Sequence, residues 1–300
     1  MNLLNCTTVP TEANTDAGVA GAGVLLSFII TAGLSLLISC TIILTESKRN
    51  TEAIVLRKLL LSFSDQQIIT GIGIQCVALA KMESMIPYHF FIVWMLSLLS
   101  TATHISSILA LVNDFKRDWV LRWLRQFFMF VNLILSMASG IFILETVMKD
   151  LQPTLPIACV WEVEPHSAAS NAGVSIAGTI AVMAGQAIFF ALGVWYFHVQ
   201  NPQWLRIVQI SGLVVLIALG LGATIRVILL SQAFGSPSVK LKDTAEKDWS
   251  FGQLLPLLLL LLPVVSAVEI MRGEMQVPSP VKVEEKPLDS DSDEKDLLEA

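Results

Sequence analysis

Six ionisable side chains stand inside long apolar stretches of this 300-residue chain: Asp65, His89, His104, Glu145, Arg226 and Glu269. A charge held among apolar neighbours is costly, so such groups either tie helices together or act as proton donors, relays and ligand anchors. Two sets emerge when positions are counted along the apolar stretches. Asp65 lies six residues into one stretch and His104 eight residues from the matching end of the next, each about 9–12 Å deep at 1.5 Å per residue. A carboxylate beside an imidazole gives either a proton relay or a structural polar pair. Glu145, Arg226 and His89, the last preceded by Tyr88, fall near the opposite end. Glu145 is the expected partner of Arg226, as a salt bridge or as a proton-donating acid positioned by the guanidinium. Glu269 sits close enough to a stretch end to snorkel.

The parts of several other chemistries are missing from the sequence. There is no Gly-rich phosphate loop, no paired Asp-rich motif for a diphosphate-bound Mg²⁺, no His pair at i, i+4 and no lysine in the last apolar stretch for a Schiff base. The expectation is chemistry without cofactor or metal, driven by protonation. Aromatic faces that could stabilise a cation or pack a ligand are Tyr88, Trp94 and Trp195, with Phe91 nearby; ordinary core or interfacial packing is the plainer role for each.

Seven apolar stretches must position these groups: Ala20–Leu44, Leu59–Lys81, Tyr88–Val112, Phe127–Met148, Val174–Tyr196, Ile207–Leu230 and Phe251–Ile270. A bilayer core of about 30 Å is crossed by roughly 20 apolar residues in a helix. The expected fold is therefore all-α, a polytopic seven-transmembrane-helix bundle. Composition agrees, with 54% hydrophobic and 15% charged residues, where soluble domains carry about 25% charged. No basic patch interleaved with aromatics exists, which sets nucleic-acid binding aside.

Lysine and arginine give the expected orientation. Lys48, Arg49, Arg57, Lys58, Lys116, Arg117, Arg122, Arg125, Arg206 and Arg272 fall on one side, against Lys149, Lys240, Lys242 and Lys247 in connections on the other. The N-terminal segment, residues 1–19, is then lumenal or outside and the C-terminus cytosolic. Two further details point the same way. Asn5-Cys6-Thr7 is an N-glycosylation sequon, and Cys6 and Cys159 fall on the same lumenal side, where they could form a disulfide. Residues 271–300 read as an acidic, disordered cytosolic tail. Pro256 and Pro263 share a face of the last stretch and predict a bend there. Trp119 and Trp123, among basic residues, suit the headgroup level. An endomembrane such as the endoplasmic reticulum is the expected location. No internal repeat is evident, which weakens a transporter reading.

Five short strings carry a resemblance: Asn14-Thr15-Asp16-Ala17-Gly18, Leu61-Ser62-Phe63-Ser64-Asp65-Gln66-Gln67, Tyr88-His89-Phe90, Thr103-His104 and Trp249-Ser250-Phe251-Gly252-Gln253. Through them the chain, over nearly its whole length, is similar to a broad set of filamentous-fungal seven-helix membrane proteins. Some fungal membrane proteins of this size, from secondary-metabolite clusters, are terpene cyclases. The resemblance implies cyclisation of a hydrophobic prenylated (meroterpenoid) epoxide or alkene, started by a proton. Asp65 or Glu145 would be the acid, His104 would tune Asp65, and Arg226 would position Glu145 or a substrate oxygen. Tyr88, His89, Trp94 and Trp195 would line the substrate site. A seven-helix receptor or sensor is the alternative, and a proton-coupled transporter the third.

Overall fold

A computed structural model describes residues 6–49, 54–112, 115, 119–164, 172–196 and 202–272. Asn5 of the sequon and residues 273–300 of the tail lie outside the described residues. The chain is all-helical, with no strand among the described residues. In order come α1 (Ala17–Ala20), α2 (Ala22–Arg49), α3 (Ile54–Ala80), α4 (Pro87–Ala110), α5 (Trp119–Met148), a 3-10 turn (Ile157–Trp161), α6 (Ala172–Tyr196), α7 (Pro202–Leu230), α8 (Phe251–Leu259) and α9 (Leu261–Met271).

Among the described residues, six helical segments, counting α1 with α2 and α8 with α9, are long and apolar enough to cross a membrane. They fit a multi-pass membrane protein. The seventh expected stretch, Leu59–Lys81, falls in α3 and its C-terminal turn, and α3 is not among the six. Ser64, Asp65, Gln66, Gln67 and Gln75 dilute its apolar content, although its 27 residues reach about 40 Å as a helix. Helix boundaries also differ from apolar boundaries. The helix containing Phe127–Met148 starts eight residues earlier, at Trp119, because arginine continues a helix about as readily as leucine does and no Gly or Pro interrupts residues 119–126.

Helix α4 is the axis of the bundle. In its most apolar window 89% of residues are buried, against 39% or less for the other five segments. It packs on α2, α3, α5 and α7. A helix surrounded by protein tolerates hydroxyls, and α4 satisfies them against its own backbone: Ser97 donates to the Trp94 carbonyl at 2.7 Å, Thr103 to Leu99 at 3.0 Å and Ser107 to His104 at 2.7 Å. The small side chains let neighbours approach closely. A Cβ on Gly71 of α3 would lie 2.5 Å from Ser100 Oγ. The outer faces are apolar and exposed, as at Val174, Leu192, Ile207 and Val214.

Two buried apolar layers stack along the bundle, one around Phe90, Trp94, Leu25 and Val227, the other around Leu60, Ile108, Phe115 and Leu216. At the first layer's end, four segments knit into a cap. Ala13 and Leu241 form a parallel bridge, with Ala13 N–H donating to Lys240 O at 3.0 Å and Lys242 N–H to Ala13 O at 2.9 Å. Ile157 N–H donates to Met85 O at 2.8 Å, and Cys6 and Cys159 are joined by a disulfide. The last apolar segment breaks at Leu260, four residues after Pro256. Pro263 lacks the N–H that would bond the Leu259 carbonyl, which accounts for a break at this point.

Candidate functional site

Three polar groupings occupy the interior of this apolar frame. The first lies at the end opposite the cap, between α3, α4 and α5. Arg125, six residues inside α5, is 2% exposed at its side chain. It donates to Asp65 Oδ1 through Nη2 and to Ser64 Oγ through Nη1 at 3.0 Å. Its guanidinium also stands over the Phe115 ring, 4.6 Å from the centre. Ser64 Oγ lies 3.0 Å from His104 Nδ1 and 2.9 Å from Ser107 Oγ. The expected Asp65–His104 contact is thus replaced. Consecutive helical residues point about 100° apart, so Ser64 faces α4 and takes the imidazole while Asp65 turns to α5 and takes the arginine.

The second grouping is a ladder of neutral side chains. Gln75 Nε2 donates to Asn132 Oδ1 at 2.8 Å, and Asn132 Nδ2 to Thr101 Oγ1 at 3.0 Å. Ser97 and Ser136 hydroxyls stand 3.0 Å apart, and Ser136 donates to Gln186 Oε1 at 2.8 Å. Beside the ladder is a small, partly open cavity walled by α3, α4, α5 and α6. His104, Thr101, Asn132 and Gln186 give it polar corners, and Ile68, Met129 and Phe190 apolar walls. Among the described residues, His104 Nε2 and Gln186 Nε2 are buried without a hydrogen-bond partner.

The third grouping closes the cap end. Glu246, fully buried, accepts from Tyr88 Oη at 2.9 Å and lies 2.6 Å from His89 Nε2. Gln232 N–H donates to Tyr88 Oη at 2.8 Å, and the Glu246 carbonyl accepts from Ala22 N–H at 3.1 Å. Tyr88 and His89 therefore hold a loop carboxylate.

The expected Glu145–Arg226 bridge is absent among the described residues. Glu145 lies 3.9 Å from Lys149 one turn on, and Arg226 is exposed on α7. The cause is packing: α5 packs on α3, α4 and α6, whereas α7 packs on α4 and α2. Trp94 is buried and edge-on to Phe91 at 6.3 Å, while Trp195 is 49% exposed on the outside of α6. Neither tryptophan lines the cavity, and of the expected site residues only His104 does. Sequence reasoning missed Arg125, counted as a loop charge, and Glu246, hidden in the polar run Thr244-Ala245-Glu246-Lys247-Asp248. Continuing the helix back through Trp119-Val120-Leu121-Arg122-Trp123-Leu124 would have placed Arg125 inside the bundle. Glu246 carried no such signal.

No protein-family model, curated protein or solved structure matches the chain.

Proposed function

We propose that this protein is a seven-helix membrane receptor or sensor, with α3 as the seventh span, the cap lumenal or outside and the basic end cytosolic. The orientation rests on the lysine and arginine asymmetry and on the Cys6–Cys159 disulfide, which suits an oxidising compartment. An endomembrane is the proposed location. The observation that carries the function is His104. Its Nδ1 belongs to the Ser64–Arg125–Asp65 cluster at the basic end, and its ring also lines the interior cavity. Ser64 has one hydroxyl proton, so it donates to His104 or receives from it, according to the tautomer. An occupant that fixes the tautomer at Nε2 thereby reorders the hydrogen bonds around Arg125, at the ends of α3 and α5 that would face the cytosol. A ligand shifts such an equilibrium only through its differential contacts with the two arrangements.

The test uses protein in nanodiscs, with Cys40 and Cys76 replaced by serine and an environment-sensitive fluorophore on Leu124→Cys. A bound ligand is expected to change the label's emission in the parent and not in Ser64→Ala. Demonstrated binding with no emission change, or an equal change in Ser64→Ala, would sink the sensor reading.

The membrane terpene cyclase is the second reading. It is favoured by the resemblance and by the aromatic pair of half-buried Phe91 and buried Trp94. Against it, Asp65 is half-exposed and engaged by Arg125, and Glu145 lies outside the cavity. Microsomes containing the chain, given a farnesylated aromatic epoxide, would yield a cyclised product on this reading. Its absence across a substrate panel, with the protein inserted, refutes it.

A further inference from the structure

We infer that His104 is held as the Nδ1–H tautomer, and that its bare Nε2 is an acceptor site whose ligand is a water molecule in the interior cavity. Ser107 is the positioning residue that fixes this arrangement. The inference goes beyond the sensor reading and does not depend on it; it supplies the resting proton arrangement that the sensor reading leaves open.

Each hydroxyl beside His104 has one proton to give. Ser107 Oγ lies 2.7 Å from the His104 carbonyl oxygen. A carbonyl brings no proton, so that contact takes the Ser107 proton. The 2.9 Å contact between the Ser64 and Ser107 hydroxyls is then carried by the Ser64 proton. Ser64 has nothing left to donate, so its 3.0 Å contact with His104 Nδ1 is carried by the imidazole N–H. Arg125 fits the same order. Its Nη1 donates to Ser64 Oγ at 3.0 Å and reaches Ser107 Oγ at 3.4 Å. Ser64 accepts from the guanidinium and the imidazole and donates to Ser107, so its two lone pairs and one proton are all used. The ring of bonds starts on the His104 side chain and closes on the carbonyl of the same residue. In the reverse order Ser107 would donate to Ser64, and two oxygen atoms would face each other at 2.7 Å with no proton between them.

A neutral imidazole with its proton on Nδ1 has a lone pair on Nε2. That atom is buried without a hydrogen-bond partner among the described residues. It belongs to a residue that is 2% exposed and lines the cavity. A buried acceptor calls for a donor. The cavity has room for about one or two water molecules, and Thr101, Asn132 and Gln186 give it further polar walls. Water meets both conditions, because it is small enough and has protons to donate. A ketone or an ether donates none. An ionised group would face no counter-charge, since no carboxylate, lysine or arginine lines the cavity.

The experiment uses the full chain in nanodiscs with isotope-labelled histidine, read by magic-angle-spinning nitrogen NMR at a pH where the imidazole is neutral. His104, one of four histidines, is assigned as the signal lost in His104→Gln. Its Nδ1 should carry the proton. Its Nε2 should show the downfield shift of a bare nitrogen and receive polarisation from water protons. Ser107→Ala frees the Ser64 proton for Nδ1. The ratio of Nδ1–H to Nε2–H tautomers should then fall by about tenfold or more, as expected when a buried hydroxyl would otherwise stay unpaired. Ser107→Thr keeps a hydroxyl at that position and should restore the parent ratio. A proton on Nε2 in the parent, or a ratio unchanged in Ser107→Ala, would overturn the tautomer and the role of Ser107. A bare Nε2 that receives no polarisation from water would overturn the water site. The sensor reading fails separately, when tautomer and water are as assigned but the Leu124→Cys label stays silent on demonstrated ligand binding.

Discussion

The Arg125–Asp65 pair gives the sharpest energetic test because its two members differ so much in exposure. The arginine side chain is 2% exposed and the aspartate 49%. Asp65→Asn leaves a guanidinium buried among α3, α4 and α5 without its counter-charge. Removing one partner of a buried pair costs about 3–5 kcal/mol. Here water reaches the aspartate, and screening lowers the figure to about 2–3 kcal/mol. Arg125 also keeps Ser64 and the Phe115 face as weaker partners. Arg125→Met removes the buried charge and leaves only a half-exposed carboxylate, at about 1–2 kcal/mol. With both changes together no uncompensated charge stays inside. The double variant should therefore be less destabilised than the sum of the singles, by about 1–3 kcal/mol. The assay is the thermal unfolding midpoint in one detergent for all four proteins, where 1 kcal/mol moves the midpoint by about 2–4 °C for a domain approaching this size. A cycle that closes additively, within about 0.5 kcal/mol, would show that the two charges do not depend on each other and that the site geometry is wrong.

Four further outcomes follow from the same frame. Alkylation before reduction should modify two cysteines, Cys40 and Cys76, and alkylation after reduction all four; four accessible thiols in the untreated protein would contradict the Cys6–Cys159 link. Gly23→Ala would place its Cβ 1.9 Å from the Gln253 carbonyl oxygen, a backbone atom that cannot swing away, so it should lower stability by about 1–3 kcal/mol; an unchanged midpoint would mean that α2 and α8 do not approach there. Trp94→Ala should cost about 3–5 kcal/mol and Trp195→Ala under about 0.5 kcal/mol, and equal effects would refute the burial assigned to them. At the cap, the hydrogen bond and charge of Lys240 hold Glu12 below its ordinary 4.5, and the Thr15 hydroxyl and Ala245 N–H hold Asp243 below its ordinary 3.8. A depressed carboxyl pKa stabilises above the unfolded value and ceases to as pH falls through the folded one. Hydrogen exchange at the Ala13 and Lys242 amides, corrected for its intrinsic pH dependence, should therefore accelerate as pH drops below about 4.5; unchanged protection down to pH values near 3 would remove these groups from the cap's stability.

Much of the architecture was legible because apolar length is a one-dimensional property. Segments such as Ile207–Leu230 announce themselves by composition, and the heights of Asp65 and His104 along their helices came from counting. What counting cannot supply is azimuth and adjacency. Ser64 and Asp65 are neighbours in sequence at nearly the same height, yet one meets His104 and the other Arg125. Glu145 and Arg226 also share a height, but their helices are not packed together. Adjacency depends on how α4's small hydroxyl-bearing residues draw α3 and α7 inward, a property of surfaces rather than of composition.

Glu246 carries this argument furthest. Its immediate neighbours, Thr244, Ala245, Lys247 and Asp248, read as a solvated loop, and a solvated glutamate would have no structural effect. It is buried because Tyr88 and His89, at the first turn of the central helix, present a hydroxyl and an imidazole toward the cap. The Asp16 N–H stands 3.3 Å from the same carboxylate. One side chain thus joins the loop between α7 and α8 to the starts of α1 and α4. Glu246→Gln keeps the shape and one acceptor oxygen but puts an amide where a second acceptor is needed. It should loosen the cap while leaving the Arg125 end unchanged. Hydrogen exchange would show this as faster amide exchange at Ala13, Ala22 and Gln232 with α5 protection near Arg125 retained. Loss of protection at both ends together would mean that the two polar groupings form one cooperative unit, and the cap could not then be separated from the interior site.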